Sequence, residues 1–556
     1  MKVFLLHRDR DFAVRPELRD EIFDAMISGD LFAITRIRRE HERKKEPPTP
    51  APTGMGAVLT KDLELRTLWN AMADGDEFLF EMARLTVLSS LTDQDAIIYR
   101  QHVLADCLEH PETVRQLYRL AVEALENERT VGGLWSTANA DRILSRSVQV
   151  LELQARVLRR LRQFADEQGQ AFRSEGFTRF FTMVGDELTD DYLEAVEQHL
   201  RELAFKRGVF ESAELGKGFT GRGYIVRTAR EQRWTERLPF GSHADSYSFT
   251  VPPRDENGFH ALETIRGRGI NLVANSVAQS ADHVKSFFSL LRLELAFYLG
   301  CLNLRDTLTG KGEPVCFPEP LPADQLALTA DGIYDVALTL HLDGRTVGND
   351  VNADDRSLVM ITGANQGGKS TLLRSLGLAY LMMQAGMFTG ARSFRAAVCT
   401  GVFTHYKREE DATMESGKLD EELSRMSAIA GRITRHSILL CNESFASTNE
   451  REGSEIARQV ITAMLARQIT VFFVTHMYDL AHSFRARQPG DALFLRAERR
   501  PDGRRTFRLT EGEPLPTSYG QDSYQRVFGA AESAPMGQLS EELVDLVRGD
   551  GSSPRP

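Results

Sequence analysis

The chain has 556 residues, of which 42% are hydrophobic and 26% are charged, and its formal net charge is −11. This length exceeds one compact core and predicts three or four domains, while the composition is typical of a soluble globular protein. The acidic total argues against a protein that coats nucleic acid with its whole surface, although it leaves room for a basic groove on one face.

The sequence carries no sign of secretion or membrane insertion. No apolar run is long enough to cross a bilayer, and the apolar start at residues 1–6 is interrupted at once by charged residues. We therefore expect a cytoplasmic protein with neither a signal peptide nor a membrane partner. The five cysteines form no CxxC pair, which predicts reduced thiols and argues against a zinc site or a disulfide framework.

Residues 1–55 are predicted to form a small helical segment followed by a proline-rich linker. The helical part ends in a basic run at residues 36–45. We interpret that run as a solvated helix end, and the alternative is a contact with nucleic acid.

Residues 56–205 show helical periodicity almost throughout, which predicts the first half of a helical core and lever. Within residues 150–164 the apolar side chains share one face of a helix. Arg156, Arg159 and Arg160 lie on a different side, which is either a solvated face or a surface that follows a nucleic-acid backbone.

Residues 206–258 predict a small β insert, with strands at Tyr224–Val226 and Tyr247–Val251. Between residues 217 and 237, six basic residues outnumber two acidic ones. That composition suits phosphate contact, but it suits a hairpin with solvated arginines equally well. The candidate nucleic-acid residues are Lys217, Arg222, Arg227, Arg230 and Arg233.

Residues 259–335 are predicted to return along the helical core, with an apolar stripe from 284 to 298 that packs inside it. This order of helices, a β insert and further helices predicts a helical lever with the β insert at its tip. Residues 336–548 alternate short apolar strands with helices, as in a parallel α/β sheet, and residues 549–556 are predicted to be a disordered tail.

The clearest chemical signal follows the predicted strand Leu358–Ile361. The segment GANQGGKST matches the phosphate-binding pattern GxxxxGK[ST] between a strand and a helix. Glycines let backbone N–H groups close around phosphates, and the N-terminus of the next helix favours an anion. Lys369 is predicted to neutralise phosphate charge, and the Ser370 hydroxyl is predicted to reach Mg²⁺. The candidate ATP-binding residues of this loop are Gly363, Ala364, Asn365, Gln366, Gly367, Gly368, Lys369, Ser370 and Thr371.

Two later apolar strands also end in polar residues. The first ends in Asn442 and Glu443, where P-loop ATPases place a magnesium-organising Asp and, in several families, a catalytic Glu. Glu443 is therefore the candidate general base, and Asn442 is a candidate magnesium residue that acts through a water. Because an amide has no negative charge, we expect weaker metal binding. His476 follows the strand at 471–474 and is the candidate catalytic contact to the γ-phosphate.

Together these segments closely resemble the ATPase domain of the MutS family. The loop GANQGGKST, the run Glu443–Gly453 and the pair Thr475–His476 resemble the family's phosphate loop, the segment after its catalytic Glu, and its histidine loop. The resemblance implies an ABC-type P-loop fold that binds ATP and Mg²⁺. It also implies a composite site that forms only in a homodimer.

The resemblance is specific over residues 340–530 and weaker over 56–345, where the order of helices resembles the family's core, lever and clamp. It further implies that Asn349 and Val351 flank the adenine. By the same resemblance, Ser416, or the residue after it, reaches the γ-phosphate of the partner subunit's ATP.

Two departures from the family pattern shape the functional hypothesis. No mismatch-recognition domain fits before residue 56, and Phe78–Glu81 is interpreted as core packing instead of a Phe-x-Glu wedge. The leading hypothesis is an ATP-hydrolysing clamp that changes its grip on duplex or branched DNA in repair or recombination. The alternative, motivated by Asn442, is a nucleotide-gated scaffold with slow turnover that acts on RNA or the ribosome. A monomeric kinase-like P-loop enzyme would leave the segment around Ser416 and the Thr475–His476 pair without a role.

Overall fold

The structure is a computed structural model, and it describes residues 1–12, 55–131, 139–205, 208–219, 221–227, 248–408, 417–487, 492–500 and 504–515. Within these ranges the chain divides into two compact units. The first unit comprises the described residues within Met1–Thr53, Arg66–Thr307 and Gln384–Met387, and the second comprises those within Gly54–Leu65, Leu308–Met383 and Phe388–Pro556.

Helices and strands alternate along the chain in the second unit. The described α-helices are α1 (Met55–Asp62), α2 (Leu65–Ala73), α3 (Glu77–Leu88), α4 (Gln94–Glu109), α5 (Pro111–Val131), α6 (Ala140–Gln168), α7 (Glu175–Glu187), α8 (Asp190–Leu203), α9 (Glu256–Gly310), α10 (Val336–His341), α11 (Lys369–Gln384), α12 (Lys418–Ala430), α13 (Glu450–Ala466) and α14 (Tyr478–Arg487). The described strands are β1 (Phe210–Leu215), β2 (Gly221–Arg227), β3 (Glu319–Leu321), β4 (Leu328–Ile333), β5 (Asn349–Asn352), β6 (Leu358–Gly363), β7 (Ser393–Ala397), β8 (Val402–Tyr406), β9 (Ile438–Asn442), β10 (Thr470–Val474), β11 (Ala492–Arg499) and β12 (Arg505–Glu511).

The first unit is mainly helical, as the sequence predicts. Helix starts are stabilised by side chains that accept first-turn N–H groups: Asp93 accepts from Ala96, and Thr189 accepts from Tyr192. Helix α3 contains the segment Phe78–Glu81, and Glu81 is buried there against Arg84, whose Nε lies 2.8 Å from the carboxylate. That segment is core packing.

Helix α6 covers the predicted helix at 150–164 and buries its apolar face, including Val157 and Leu161. The arginines on the other side are partly neutralised by neighbouring helices. Arg159 donates to Glu197 over 2.8 Å, and Arg160 pairs with Glu123. These pairs favour the interpretation of a solvated face over a surface that follows a nucleic-acid backbone.

The predicted β insert is in part an antiparallel hairpin of β1 and β2, in which Phe210 lies opposite Arg227. The predicted second strand is wrong over its described residues, 248–251, which belong to no strand. Phe249 is 81% exposed, and prolines at 252 and 253 lack the N–H groups that a ladder needs.

The predicted N-terminal helix is also absent from residues 1–12, and the rest of that prediction lies outside the described residues. Leu5 and Leu6 are buried, and their backbone N–H groups donate to the carboxylate of Glu294. A buried acceptor on α9 therefore takes the place of the intrahelical carbonyls that a helix would have supplied.

Helix α9 has 55 residues and extends the predicted helix at 259–305 at both ends. Among the described residues it is the one helix long and apolar enough to cross a membrane, which the sequence did not lead us to expect, and 78% of its most apolar window is buried inside the protein. Core helices of soluble proteins pass the same test, so this is weak evidence for a span.

The second unit contains two sheets. The larger has the strand order β12-β11-β6-β10-β9-β8 and is parallel except for β12. The smaller has the order β3-β7-β4-β5. Alternate residues of the central strands, such as Met360, Leu439 and Phe473, pack on one face against helices α12 and α13.

The smaller sheet corrects the prediction that residues 259–335 are helical to their end. Helix α9 stops at Gly310, and β3 and β4 follow. Strand β4 alternates buried Leu328 and Ala330 with less buried neighbours, and it pairs with both β5 and β7. The α/β unit therefore begins before residue 336, because these strands find their partners far along the chain.

The cysteines agree with the prediction of reduced thiols. All five are free, and four of them are buried.

Candidate active site

The candidate active site lies at the carboxyl edge of the larger sheet. Val474, the last residue of β10, pairs in register with Ile361 of β6 and with Asn442 of β9. The carboxyl ends of three parallel strands therefore coincide. The loop after β6, the Asn442–Glu443 pair and the Thr475–His476 pair, which the sequence singles out separately, share this edge.

The loop between β6 and α11 has a conformation that glycine permits. Gly363 and Gly368 have φ values of 105° and 90°, and Gln366 has a φ of 58°. A Cβ on Gly363 would lie 2.9 Å from the backbone nitrogen of Ala497, and one on Gly367 would lie 2.6 Å from the Cβ of that alanine. Strand β11 thus approaches the loop so closely that side chains at these positions are excluded.

Lys369 begins α11 with its side chain folded back into the loop. Its Nζ donates to the carbonyl oxygens of Gly363 over 3.1 Å and Ala364 over 3.0 Å, and the residue is only 5% exposed. Burial lowers the pKa of the ammonium group, Glu443 opposes that shift, and Arg505 adds to it. A buried ammonium held by neutral carbonyls remains available to an anion such as a phosphate.

Ser370 connects the loop to the next strand. Its Oγ donates to Oδ1 of Asn442 over 2.8 Å, so the start of α11 and the end of β9 are in direct contact. A hydroxyl and an amide oxygen are hard oxygen donors of the kind that Mg²⁺ accepts. Among the described residues, no group of three or more His, Cys, Asp or Glu side chains could hold a metal. The Ser370 hydroxyl and the Asn442 amide oxygen have the chemistry of residues that would hold a magnesium ion.

Glu443 lies directly after β9, half-buried, with a φ of 54°. Its backbone N–H donates to the carbonyl oxygen of Val474 over 2.9 Å. His476 is exposed and follows Thr475, whose N–H donates to Ile361 over 3.0 Å. The structure therefore brings both candidate catalytic side chains to the same edge as Lys369.

For three other predicted site residues, the structure does not show the predicted contact with nucleotide. The amide of Asn349 donates to the carbonyl oxygen of Phe507 over 3.2 Å and accepts from Leu509 over 2.7 Å, which joins β5 to β12. Val351 is 3% exposed. These contacts account for both residues by packing, and their role beside adenine stays a prediction. Ser416 lies outside the described residues.

The candidate nucleic-acid residues belong to the first unit. Arg222 lies 3.7 Å from Glu214, and Arg227 donates to the Ser212 hydroxyl over 2.9 Å, both within the exposed hairpin. Lys217 is exposed in the turn between the two strands. Arg230 and Arg233 lie outside the described residues. A role for this hairpin in nucleic-acid contact stays a prediction.

A set of buried residues beside Glu443 was missed by sequence reasoning. His405 contacts both Glu422 and Ser444, although the three residues come from separate segments. The sequence offered only one signal, a histidine at the end of an apolar strand, and this pattern is too common to single it out.

The site and fold together define a P-loop nucleotide-binding domain. The family model for MutS domain V, a P-loop ATPase domain, matches residues 359–524, and the model for the MutS2 N-terminal domain matches residues 92–311. The chain belongs to the MutS family.

Several relatives of known name are similar to parts of the chain. Endonuclease MutS2 of Streptococcus pneumoniae is 30% identical over 136 residues, which are 24% of this chain and 18% of that protein. MutS protein homolog 4 of Mus musculus is 23% identical over 295 residues, or 50% of this chain and 29% of that protein. DNA mismatch repair protein MutS of Clostridium kluyveri is 29% identical over 170 residues, or 30% and 19%. The similarity thus spans less than a third of each relative's length.

Proposed function

We propose that the protein is a MutS-type ATPase that uses ATP binding and hydrolysis to control its grip on duplex or branched DNA, in repair or recombination. The observation that carries the ATPase part is the common carboxyl edge of β6, β9 and β10, which collects the phosphate loop, Asn442 with Glu443, and His476. Such an edge is where open α/β sheets bind their ligands.

The site residues divide the chemistry among them. Backbone N–H groups of the glycine-rich loop and the ammonium of Lys369 would hold the phosphates. Ser370 and, through a water, Asn442 would hold Mg²⁺, which supplies positive charge against the phosphate oxygens. Glu443 would orient the attacking water and accept its proton, and His476 would contact the γ-phosphate.

The DNA part of the proposal is supported by the family and by the hairpin of the first unit. The relatives described above include a DNA mismatch repair protein and an endonuclease. The exposed hairpin carries Lys217, Arg222 and Arg227 against Glu211 and Glu214, a small basic excess in a chain whose total charge is −11. By resemblance we also propose a homodimer in which Ser416 completes the partner's ATP site.

The deciding experiment is steady-state ATP hydrolysis with Mg²⁺, alone and with duplex, mismatched and four-way-junction DNA. We expect one DNA form to stimulate turnover, and Glu443→Gln to bind ATP without hydrolysing it. No ATP binding by the wild-type protein would overturn the proposal. ATP hydrolysis that no DNA form changes would leave an ATPase and remove the DNA part.

A second candidate, a nucleotide-gated scaffold with slow turnover, is favoured by one observation. The Ser370 hydroxyl donates to a neutral amide at Asn442, where a carboxylate would contribute charge to the metal. Clear ATP binding with negligible turnover under every DNA condition would support it. Competition between duplex DNA, branched DNA and structured RNA at fixed salt would then identify the ligand, because phosphate contacts grow weaker with salt for all three.

A further inference from the structure

The loop that follows Glu443 has an unusual backbone. Glu443 has a φ of 54° and Phe445 a φ of 63°, so two non-glycine residues on either side of Ser444 adopt the left-handed region. Residues other than glycine rarely adopt this backbone region, and they remain there only when surrounding contacts hold them. The contacts that hold this loop therefore determine where Glu443 lies.

Glu422 supplies the first set of contacts. It lies on α12, is 2% exposed, and turns its carboxylate toward the loop. One oxygen accepts the backbone N–H of Phe445 over 2.6 Å, and the other accepts the hydroxyl of Ser447 over 2.6 Å. Charge-assisted hydrogen bonds that donate to a buried carboxylate are stronger than neutral ones, so this side chain fixes the loop at two points.

His405, the fourth residue of β8, supplies the second set. Its Nε2 lies 3.0 Å from the carbonyl oxygen of Glu422, and its Nδ1 lies 2.7 Å from Oγ of Ser444. A carbonyl can only accept, so we assign the ring proton to Nε2. The single hydroxyl proton of Ser444 is then shared between two acceptors, Nδ1 and the carbonyl oxygen of His405, each 2.7 Å from Oγ. The ring also stacks on Phe445, with centroids 5.3 Å apart. Burial, followed by the charge of Arg425, lowers the pKa of His405 to about 4 and keeps the ring neutral.

Helix α13 also packs closely against the loop. A Cβ at Gly453 on α13 would collide with the carbonyl oxygen of Phe445, so glycine allows this helix to approach. The N–H of Glu443 itself donates to Val474. The backbone of Glu443 is thus fixed before and after its Cα, while its side chain stays half-buried at the site edge.

We propose that Glu422 and His405 are positioning residues for Glu443, which hold the strained loop at 443–447 so that the base faces the phosphate loop. This role rests on the proposed function, because it presumes that Glu443 acts on ATP. Neither residue is part of the phosphate loop, so the proposal separates the turnover rate from nucleotide binding.

The test replaces Glu422 in two ways. Glu422→Met keeps the side-chain volume but leaves the Phe445 N–H without an acceptor, and a displaced base should lower kcat by about 10- to 100-fold with little change in the KM for ATP. Glu422→Gln should restore most of the activity, because its amide oxygen can accept from Phe445 while its NH₂ group donates to Ser447. Asp420→Met, at an exposed carboxylate on the same helix, is the matched control and should change neither quantity.

A readout without activity is hydrogen exchange of the backbone amide of Phe445 in the absence of nucleotide. It should exchange faster in Glu422→Met than in wild type or in Asp420→Met. Ser447→Ala removes one of the two contacts and disturbs packing least, so it serves as the second variant if Glu422→Met unfolds, and it should show a smaller fall in kcat.

The outcomes separate the two proposals. Wild-type protein without ATP hydrolysis would overturn the proposed function and this role with it. An active wild type whose Glu422→Met and Ser447→Ala variants keep full kcat would overturn only the positioning role. Equal losses of nucleotide affinity and kcat, not rescued by Gln, would assign Glu422 to general stability and overturn it as well.

Discussion

Each of the two units contains a buried carboxylate that accepts hydrogen bonds from irregular backbone. In the first, the buried carboxylate of Glu294 accepts backbone N–H groups of Leu5, Leu6 and Phe12 and so fixes residues 1–12. In the second, the buried carboxylate of Glu422 fixes the loop after Glu443. Both are buried acids that satisfy irregular backbone, but one anchors a chain end and the other supports a candidate active site.

The difference teaches that a buried carboxylate does not by itself indicate chemistry. Burial raises the pKa of Glu294 to about 7, which the three backbone N–H groups oppose. A shift of that kind is common at active sites. Around Glu294, however, the described contacts are to residues 1–12, and the phosphate loop belongs to the other unit. Which segment the carboxylate holds decides its role.

The largest effect is expected for nucleotide binding, which we assign to the second unit. Lys369→Ala removes charge-assisted bonds to phosphate and should weaken ATP binding by about 1,000-fold, measured with a fluorescent ATP analogue. Glu294→Gln and the exposed Lys61→Ala should retain wild-type affinity. A large loss of affinity in Glu294→Gln would break the distinction between the two carboxylates.

The next effect concerns the stability of the first unit. Glu294→Ala leaves buried N–H groups without an acceptor and should lower the free energy of unfolding by about 3 kcal/mol, followed by urea denaturation. Glu263→Ala, at an exposed position of the same helix, should change it little. Activity per folded molecule should stay at the wild-type value, and a selective loss of kcat would contradict the purely structural role of Glu294.

The two units should also respond oppositely to pH. The folded-state pKa of Glu294, about 7, lies above its ordinary 4.5, so its contribution is fully present below 4.5 and is lost as pH rises through 7. The folded-state pKa of His405, about 4, lies below its ordinary 6.5, so its contribution is present above 6.5 and is lost as pH falls through 4. Each changes the unfolding free energy by at most about 1.4 kcal/mol per pH unit.

Unfolding measured from pH 4 to 8 tests both responses. Glu294→Gln should remove the loss of stability above pH 5 and leave the loss on the acid side. His7 of the first unit, whose pKa is lowered to about 3 mainly by burial, adds to the acid-side loss and should be replaced in a parallel variant. An unchanged alkaline slope in Glu294→Gln would show that another group causes it.

The smallest expected effect sharpens the account of the metal site. Asn442→Asp places a charge beside Ser370 and should lower the Mg²⁺ concentration for half-maximal ATPase activity by about fivefold, since acidic oxygens bind this cation more strongly than an amide. Asp420→Asn, at an exposed site of the same unit, is the control for a change of one charge. An unchanged Mg²⁺ requirement would mean that Asn442 does not limit metal binding.

The sequence by itself determined the features that depend on residues adjacent in the chain. The phosphate loop at 363–371, the ends of β9 and β10 and the helical first unit are local patterns, because glycine freedom, strand hydrophobicity and helical periodicity act over a few neighbouring residues. Lys369 and Glu443 were assigned to one site before any geometry was known because each matches a motif of P-loop ATPases.

Tertiary structure decided what depends on distant partners. The helix predicted across residues 1–12 was replaced by an irregular segment because Glu294 supplied its acceptors, and β3 and β4 formed because β5 and β7 lay beside them. The contacts of Glu422 and His405 with the loop after Glu443 join residues 23 to 39 positions apart. No local pattern records such pairs, because the buried backbone groups that they satisfy exist only after the chain has folded.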